Sequence, residues 1–164
     1  EDARAVTPPE GVALAFATQT TLSVDDTAEI ISVLQFRFPE ISGPRGEDIC
    51  YATTNRQKAV KDIAAGVDLM LVIGAENSSN SQRLVEVAKL AGAGTSVLIA
   101  DKDAIDWQLV DDAQHIGLSA GASAPESLVE GVVDALGERY QIDVSEEGKI
   151  RETVNFKLPS ILVR

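Results

Sequence analysis

Five short hydrogen-bonding side chains stand in a row at Asn77, Ser78, Ser79, Asn80 and Ser81. They separate an apolar run ending at Gly74 from an amphipathic stretch beginning near Gln82. One such residue caps a helix, and five exceed that need. Three other stretches share the pattern: ATQTTLS (Ala17–Ser23), ATTNRQ (Ala52–Gln57) and SAGASAPE (Ser119–Glu126). Each leads from an apolar run into a helical one. In an open parallel sheet, ligands bind beyond the carboxyl ends of the strands. The free N–H groups and positive dipole end of a helix start favour an anion there. The surplus hydroxyls and amides therefore read as a cradle of neutral donors for an oxyanion, a phosphate or diphosphate.

Capping accounts for one residue per junction. A Ser or Thr followed three residues later by Glu or Gln is a capping box. Thr54 with Gln57, Ser79 with Gln82 and Ser123 with Glu126 fit it, and Ser23 with Asp26 fits loosely. Thr20 and Thr21 remain ahead of Ser23, and Asn77, Ser78 and Asn80 remain around Ser79. These need water or a substrate as partner. A capping hydroxyl also keeps a proton to donate. Gly121 lets the backbone approach a ligand closely.

The chain has one cysteine and one histidine. Cys50 falls at the same edge, before ATTNRQ, and reads either as a small inert hydrophobe or as a nucleophile or metal ligand. His115 precedes an apolar run and belongs at the amino end of a strand, on the surface, which argues against a Cys–His pair. One thiolate does not hold an iron–sulfur cluster, which takes four, or three with one iron open. If Cys50 serves a cluster, its companions lie outside these 164 residues.

Positioning these groups falls to alternating strands and helices. Strands are expected at Gly11–Ala17, Ile49–Ala52, Leu69–Ile73, Ser96–Ala100 and Ile116–Leu118. Helices are expected at Asp25–Phe38, Asn55–Ala65, Gln82–Leu90, Ala104–Ala113 and Pro125–Leu136. SGPRGED (Ser42–Asp48) reads as a loop and lobe boundary. TVNFKLP (Thr153–Pro159) alternates like a half-buried strand in a tail that no helix follows. The pattern is α/β with mostly parallel sheets and flanking helices.

Composition narrows the partners. The formal net charge is −12, which argues against a nucleic-acid groove or an anionic membrane surface. Apolar runs such as Leu69–Ile73 are far short of the ~20 residues of a membrane span. With 45% hydrophobic residues the chain supports a globular core. A single cysteine and no visible leader point to the cytoplasm. The chain opens on Glu1 without Met in a polar stretch, as a piece of something longer would.

The motifs TQTTLSVDDT, GPRGEDICYATTNRQKAV, GAENSSNSQRL and GLSAGASAPESLVEGVV resemble the 4-hydroxy-3-methylbut-2-enyl diphosphate reductase (IspH/LytB) family. The likeness runs from about Gly11 through VNFKLP. It implies three α/β lobes around a [4Fe-4S] cluster, with one cysteine from each lobe. The implied reaction uses two electrons and protons, delivered through ferredoxin or flavodoxin. It removes the substrate's hydroxyl as water and yields isopentenyl and dimethylallyl diphosphate. By motif, Cys50 resembles the third cluster cysteine and Thr20 the threonine near the substrate hydroxyl. Ser78, Ser79, Asn80 and Ser123 resemble diphosphate ligands. Thr53, Thr54 and Asn55 resemble supporting residues and fit caps equally well. Glu76 departs from the pattern, standing where a basic or neutral residue is expected.

The resemblance implies that residues 1–46 end a second lobe, 47–137 form a third lobe and 138–164 form a tail. The family's other two cluster cysteines, its diphosphate histidines and its proton-delivering glutamate would precede this chain. The expectation is thus a C-terminal part of an iron–sulfur oxidoreductase, inactive alone. The reading from another class is a non-catalytic α/β module that holds a phosphorylated ligand. Cys50 separates the two.

Overall fold

The computed structural model describes residues 1–44 and 48–147. Its helices are α1 (Asp2–Ala5), α2 (Val24–Arg37), α3 (Tyr51–Ala64), α4 (Ser79–Leu90), α5 (Trp107–Asp111) and α6 (Glu126–Arg139). Its strands are β1 (Leu69–Ile73), β2 (Thr95–Ile99) and β3 (Ile116–Ala120). The expected lobe boundary at Gly46 and the expected strand Thr153–Pro159 lie outside the described residues.

All three strands are parallel, in the order β2-β1-β3. The middle strand is buried on both faces, which is why LMLVI is a continuous apolar run. Alternate residues supply two cores. Leu69, Leu71 and Ile73 pack with Ile99, Val110, Val132 and Leu136, under α5 and α6. Met70 and Val72 pack with Val60, Ala64, Leu84, Val87 and Ala88, under α3 and α4. The register aligns Ile73 with Ile99 and with Ala120, so the strands end level. The helix after β1 lies on one face and the helix after β3 on the other. The crevice between β1 and β3 is the place where such a sheet holds ligands.

Several elements differ from expectation. Gly11–Ala17 forms no strand; it makes one parallel bridge, Ala15 to Ser42, and is largely exposed. An apolar run becomes a strand only beside a partner, and among the described residues none extends that bridge into a ladder. Ile49–Ala52 is not a strand either. Helix α3 begins at Tyr51, because Cys50 takes the N-cap position and its carbonyl accepts from Thr54 N–H at 3.0 Å. The helix expected over Ala104–Ala113 is divided into a 3₁₀ turn (Lys102–Ala104) and α5. Two aspartates cause the break: Asp101 accepts from Asp103 N–H at 2.9 Å and Asp106 from Gln108 N–H at 3.0 Å. Each starts a helical turn of its own. The last helix runs one turn further than expected, to Arg139.

Candidate functional site

The segment after β1 carries the run of small polar residues. Ser78 is the N-cap of α4, and its Oγ accepts from Ser81 N–H at 3.3 Å and from Ser81 Oγ at 3.0 Å. The cap is thus Ser78 with Ser81, one residue earlier than the expected Ser79 with Gln82. Ser79 is the first helical residue and is exposed. Asn80 follows, half-buried, with both amide atoms shielded and without a hydrogen-bond partner among the described residues. Glu76 is exposed, and its carbonyl accepts from Gln82 Nε2.

The β3 junction meets this one at the crevice. Gly121 N–H donates to the Ile73 carbonyl at 2.8 Å, so the two strand ends are hydrogen-bonded just where they diverge. Pro125 is the N-cap of α6 and no side chain caps it. The expected Ser123–Glu126 box does not form, and Ser123 is exposed in the turn without a cap to make.

The two remaining junctions pack over the same edge. Cys50 N–H donates to the Thr20 carbonyl at 3.2 Å, which brings the Thr20 segment against the start of α3. Cys50 and Thr20 are both exposed. Arg56, from α3, donates through Nη1 to the Ala120 carbonyl at 3.0 Å and fastens α3 to the end of β3. A cavity of about 190 Å³ separates the Thr20 segment from α4, lined by Gln19, Thr21, Ser79, Gln82 and Arg83 among others. The residues singled out in all four junctions therefore converge on the carboxyl edge. A larger cavity, about 520 Å³ and lined by Lys102, Trp107 and Arg139, contains none of them.

Gln57 holds this arrangement together, and its role was missed. The expected Thr54–Gln57 capping box is absent, since Thr54 lies inside α3. Gln57 is instead 1% exposed, accepts from Val24 N–H at 3.0 Å and donates to the Leu22 carbonyl at 2.8 Å. It clamps the start of α2 onto α3. Beside it, Ser23 caps α2 by accepting from Asp26 N–H at 3.3 Å, as expected. The signal for Gln57 was its place on the stripe Thr53–Gln57–Val60–Ala64, all buried at helical spacing. Thr53 and Thr54 belong to helix packing, and the Thr54 hydroxyl is shielded and unpartnered among the described residues.

His115 is exposed and directly precedes β3 at its amino end, as expected. There Asp68 accepts from the backbone N–H groups of His115 and Gln114, each at 2.9 Å. The His115 bond, then the Gln114 bond, hold its carboxyl below the ordinary aspartate value. This is electrostatics at the edge opposite the junctions.

An iron–sulfur cluster fits this donor set at one corner only. Cys50 is an exposed, unpaired thiol at the amino end of a 14-residue helix, where the charge of a metal-bound thiolate meets the positive dipole end. Among the described residues no group of three or more His, Cys, Asp or Glu side chains is placed to hold a metal.

Known proteins match this chain along most of its length. The family model described as LytB protein matches residues 1–137. The 4-hydroxy-3-methylbut-2-enyl diphosphate reductase of Hyphomonas neptunium is 58% identical over 162 residues, covering 99% of this chain and 51% of that protein. The enzyme of the same name from Gluconobacter oxydans is 54% identical, again over 99% of this chain and 48% of its own length. The solved E-1-hydroxy-2-methyl-but-2-enyl-4-diphosphate reductase of Plasmodium falciparum superposes with a TM-score of 0.90 at 32% identity, over 99% of this chain and 51% of that one. The chain spans about half the length of the curated relatives it matches. An α/β unit with this order of junctions, matched by the family model over residues 1–137, belongs to the LytB protein family.

Proposed function

We propose that this chain forms the diphosphate cradle and one cluster-holding corner of a 4-hydroxy-3-methylbut-2-enyl diphosphate reductase. The reaction replaces a C–O bond with a C–H bond: two electrons and two protons enter, the hydroxyl leaves as water, and isopentenyl and dimethylallyl diphosphate result. The single observation that carries the reading is the convergence of Cys50, Thr20 and the Ser78–Asn80 run on one sheet edge, in a chain of this family.

Each residue then has a chemical task. Ser78, Ser79, Asn80 and Ser123 hold the diphosphate through neutral donors and the start of α4, which suits a chain whose net charge is −12. Thr20, beside Cys50, orients the substrate hydroxyl and holds a proton at that oxygen. Cys50 supplies one thiolate to a [4Fe-4S] cluster, which when bound supplies the electrons of the reduction. Ferredoxin or flavodoxin, in the cytoplasm, is the electron source in this reading. Residues 1–46 belong to one lobe, 47–137 to the next and 138–164 to a tail, so the substrate lies between lobes.

The test is Cys50→Ser in the protein expressed from its complete reading frame and purified without oxygen. The expected result is loss of iron and of reductase activity with an unchanged circular dichroism spectrum. The hydroxyl and amide donors at the start of α4 also serve a second reading, a phosphate-binding module without redox chemistry. Under that reading Cys50→Ser leaves iron content, ligand binding and stability as they were.

A further inference from the structure

We propose that Ser81, assigned no role in the cradle so far, is a positioning residue that makes the Ser78 hydroxyl a dedicated donor. The inference rests on the diphosphate reading of Ser78. Ser81 is the third residue of α4, within its first turn, and is 1% exposed. It is wedged in the crevice between β1 and β3. A Cβ at Gly74 would fall 2.1 Å from the Ser81 Oγ, and a Cβ at Gly121 would fall 2.3 Å from it. The two glycines that end these strands thus make room for this hydroxyl, and their backbones close over it.

A hydroxyl so enclosed must place its hydrogen on a protein acceptor. Among the described residues its one side-chain partner is the Ser78 Oγ, at 3.0 Å. Ser78 Oγ also accepts from the Ser81 N–H at 3.3 Å. A serine oxygen has two lone pairs and one hydrogen. Ser81 fills both lone pairs, so Ser78 retains only its O–H, on a half-buried side chain at the carboxyl edge. Such a hydroxyl accepts nothing further and donates to whatever oxygen arrives. Any ligand at Ser78 must therefore present an acceptor, as a phosphoryl oxyanion does. Ser81 selects for that without touching the ligand.

The experiment titrates inorganic diphosphate into the protein from its complete reading frame, comparing wild type, Ser78→Ala, Ser81→Ala and the double variant. Ser81→Ala removes one atom from a packed site, and thermal melting checks that it folds. Ser78→Ala is expected to weaken binding about tenfold, the scale of one hydrogen bond to a charged group. Ser81→Ala is expected to weaken it about threefold to tenfold, since the Ser78 rotor is freed but still present. The double variant is expected to bind no worse than Ser78→Ala, because Ser81 acts only through Ser78. With substrate, Ser81→Ala raises KM and leaves kcat unchanged. If the two losses multiply, or Ser81→Ala binds as wild type does, the positioning role is overturned and the cradle stands. If wild type does not bind diphosphate, the cradle fails and the Ser81 role falls with it.

Discussion

Replacing Gln57 by Leu is expected to release the start of α2 from α3 without unfolding the sheet. Two bonds are lost, Val24 N–H to Oε1 at 3.0 Å and Nε2 to the Leu22 carbonyl at 2.8 Å. Each is worth about 1 kcal/mol net, and the backbone groups left behind add desolvation wherever water does not reach them, for a total of about 2–3 kcal/mol. Gln57 shares its helix face with Val60 and Ala64, which still pack on Met70 and Val72. The loss therefore falls on the α2 junction, whose other ties to α3 and α4 among the described residues include the Cys50 N–H bond to the Thr20 carbonyl and the surface pairs Lys61–Asp25 and Arg83–Asp26, the pairs worth little. Hydrogen exchange read by mass spectrometry is the assay. Amides of residues 20–30 are expected to exchange about 30- to 150-fold faster, from 1.36 kcal/mol per decade, while those of β1 change little. Gln57→Glu sharpens the test. The ionised carboxylate of that variant accepts from Val24 but repels the Leu22 carbonyl, and the neutral acid makes both bonds, so acidification should restore slow exchange. Exchange in residues 20–30 within twofold of wild type would refute the clamp.

Two further outcomes follow from the same structure. Asn80→Ala should leave the melting temperature unchanged or slightly raised, since both amide atoms are shielded and unpartnered among the described residues, yet weaken diphosphate binding about tenfold; a clear loss of stability would show that the amide serves the fold. Asp68, held below the ordinary aspartate value chiefly by the His115 and Gln114 N–H groups, contributes stability that is present above the unfolded value of about 4. That contribution is lost as pH falls through the lowered folded value. Asp68→Asn should flatten the acid limb of a pH–stability profile measured by urea denaturation, and an unchanged limb would assign it to other carboxylates.

Much of the scaffold was legible in the chain because its causes are local. A continuous apolar run such as LMLVI, followed by a glycine and short polar residues, reads as a central strand meeting a helix start. The repetition of that junction pointed to a ligand edge, and the order of its motifs pointed to the family. Local chemistry also located the Ser23 cap and the exposed His115. The capping boxes were less legible. Ser, Thr and Gln at the right spacing satisfy the pattern in several registers, and only the backbone path decides that Ser78 caps α4 and Cys50 begins α3.

Tertiary structure alone decided the rest, because it concerns partners distant in sequence. Gly11–Ala17 has the composition of a strand, but a strand exists only through its neighbour, and here it makes a single bridge. Gln57 looked like a cap until α2 was packed against α3, 33 residues away from Val24 in the chain. Gly74 and Gly121 are 47 positions apart in number, yet both lie against the one hydroxyl of Ser81. Residue order was enough to show which side chains could do chemistry and which elements carry them. Which hydroxyl is left free to donate was decided only when β1 and β3 lay side by side, since enclosing a hydroxyl takes atoms from both strand ends.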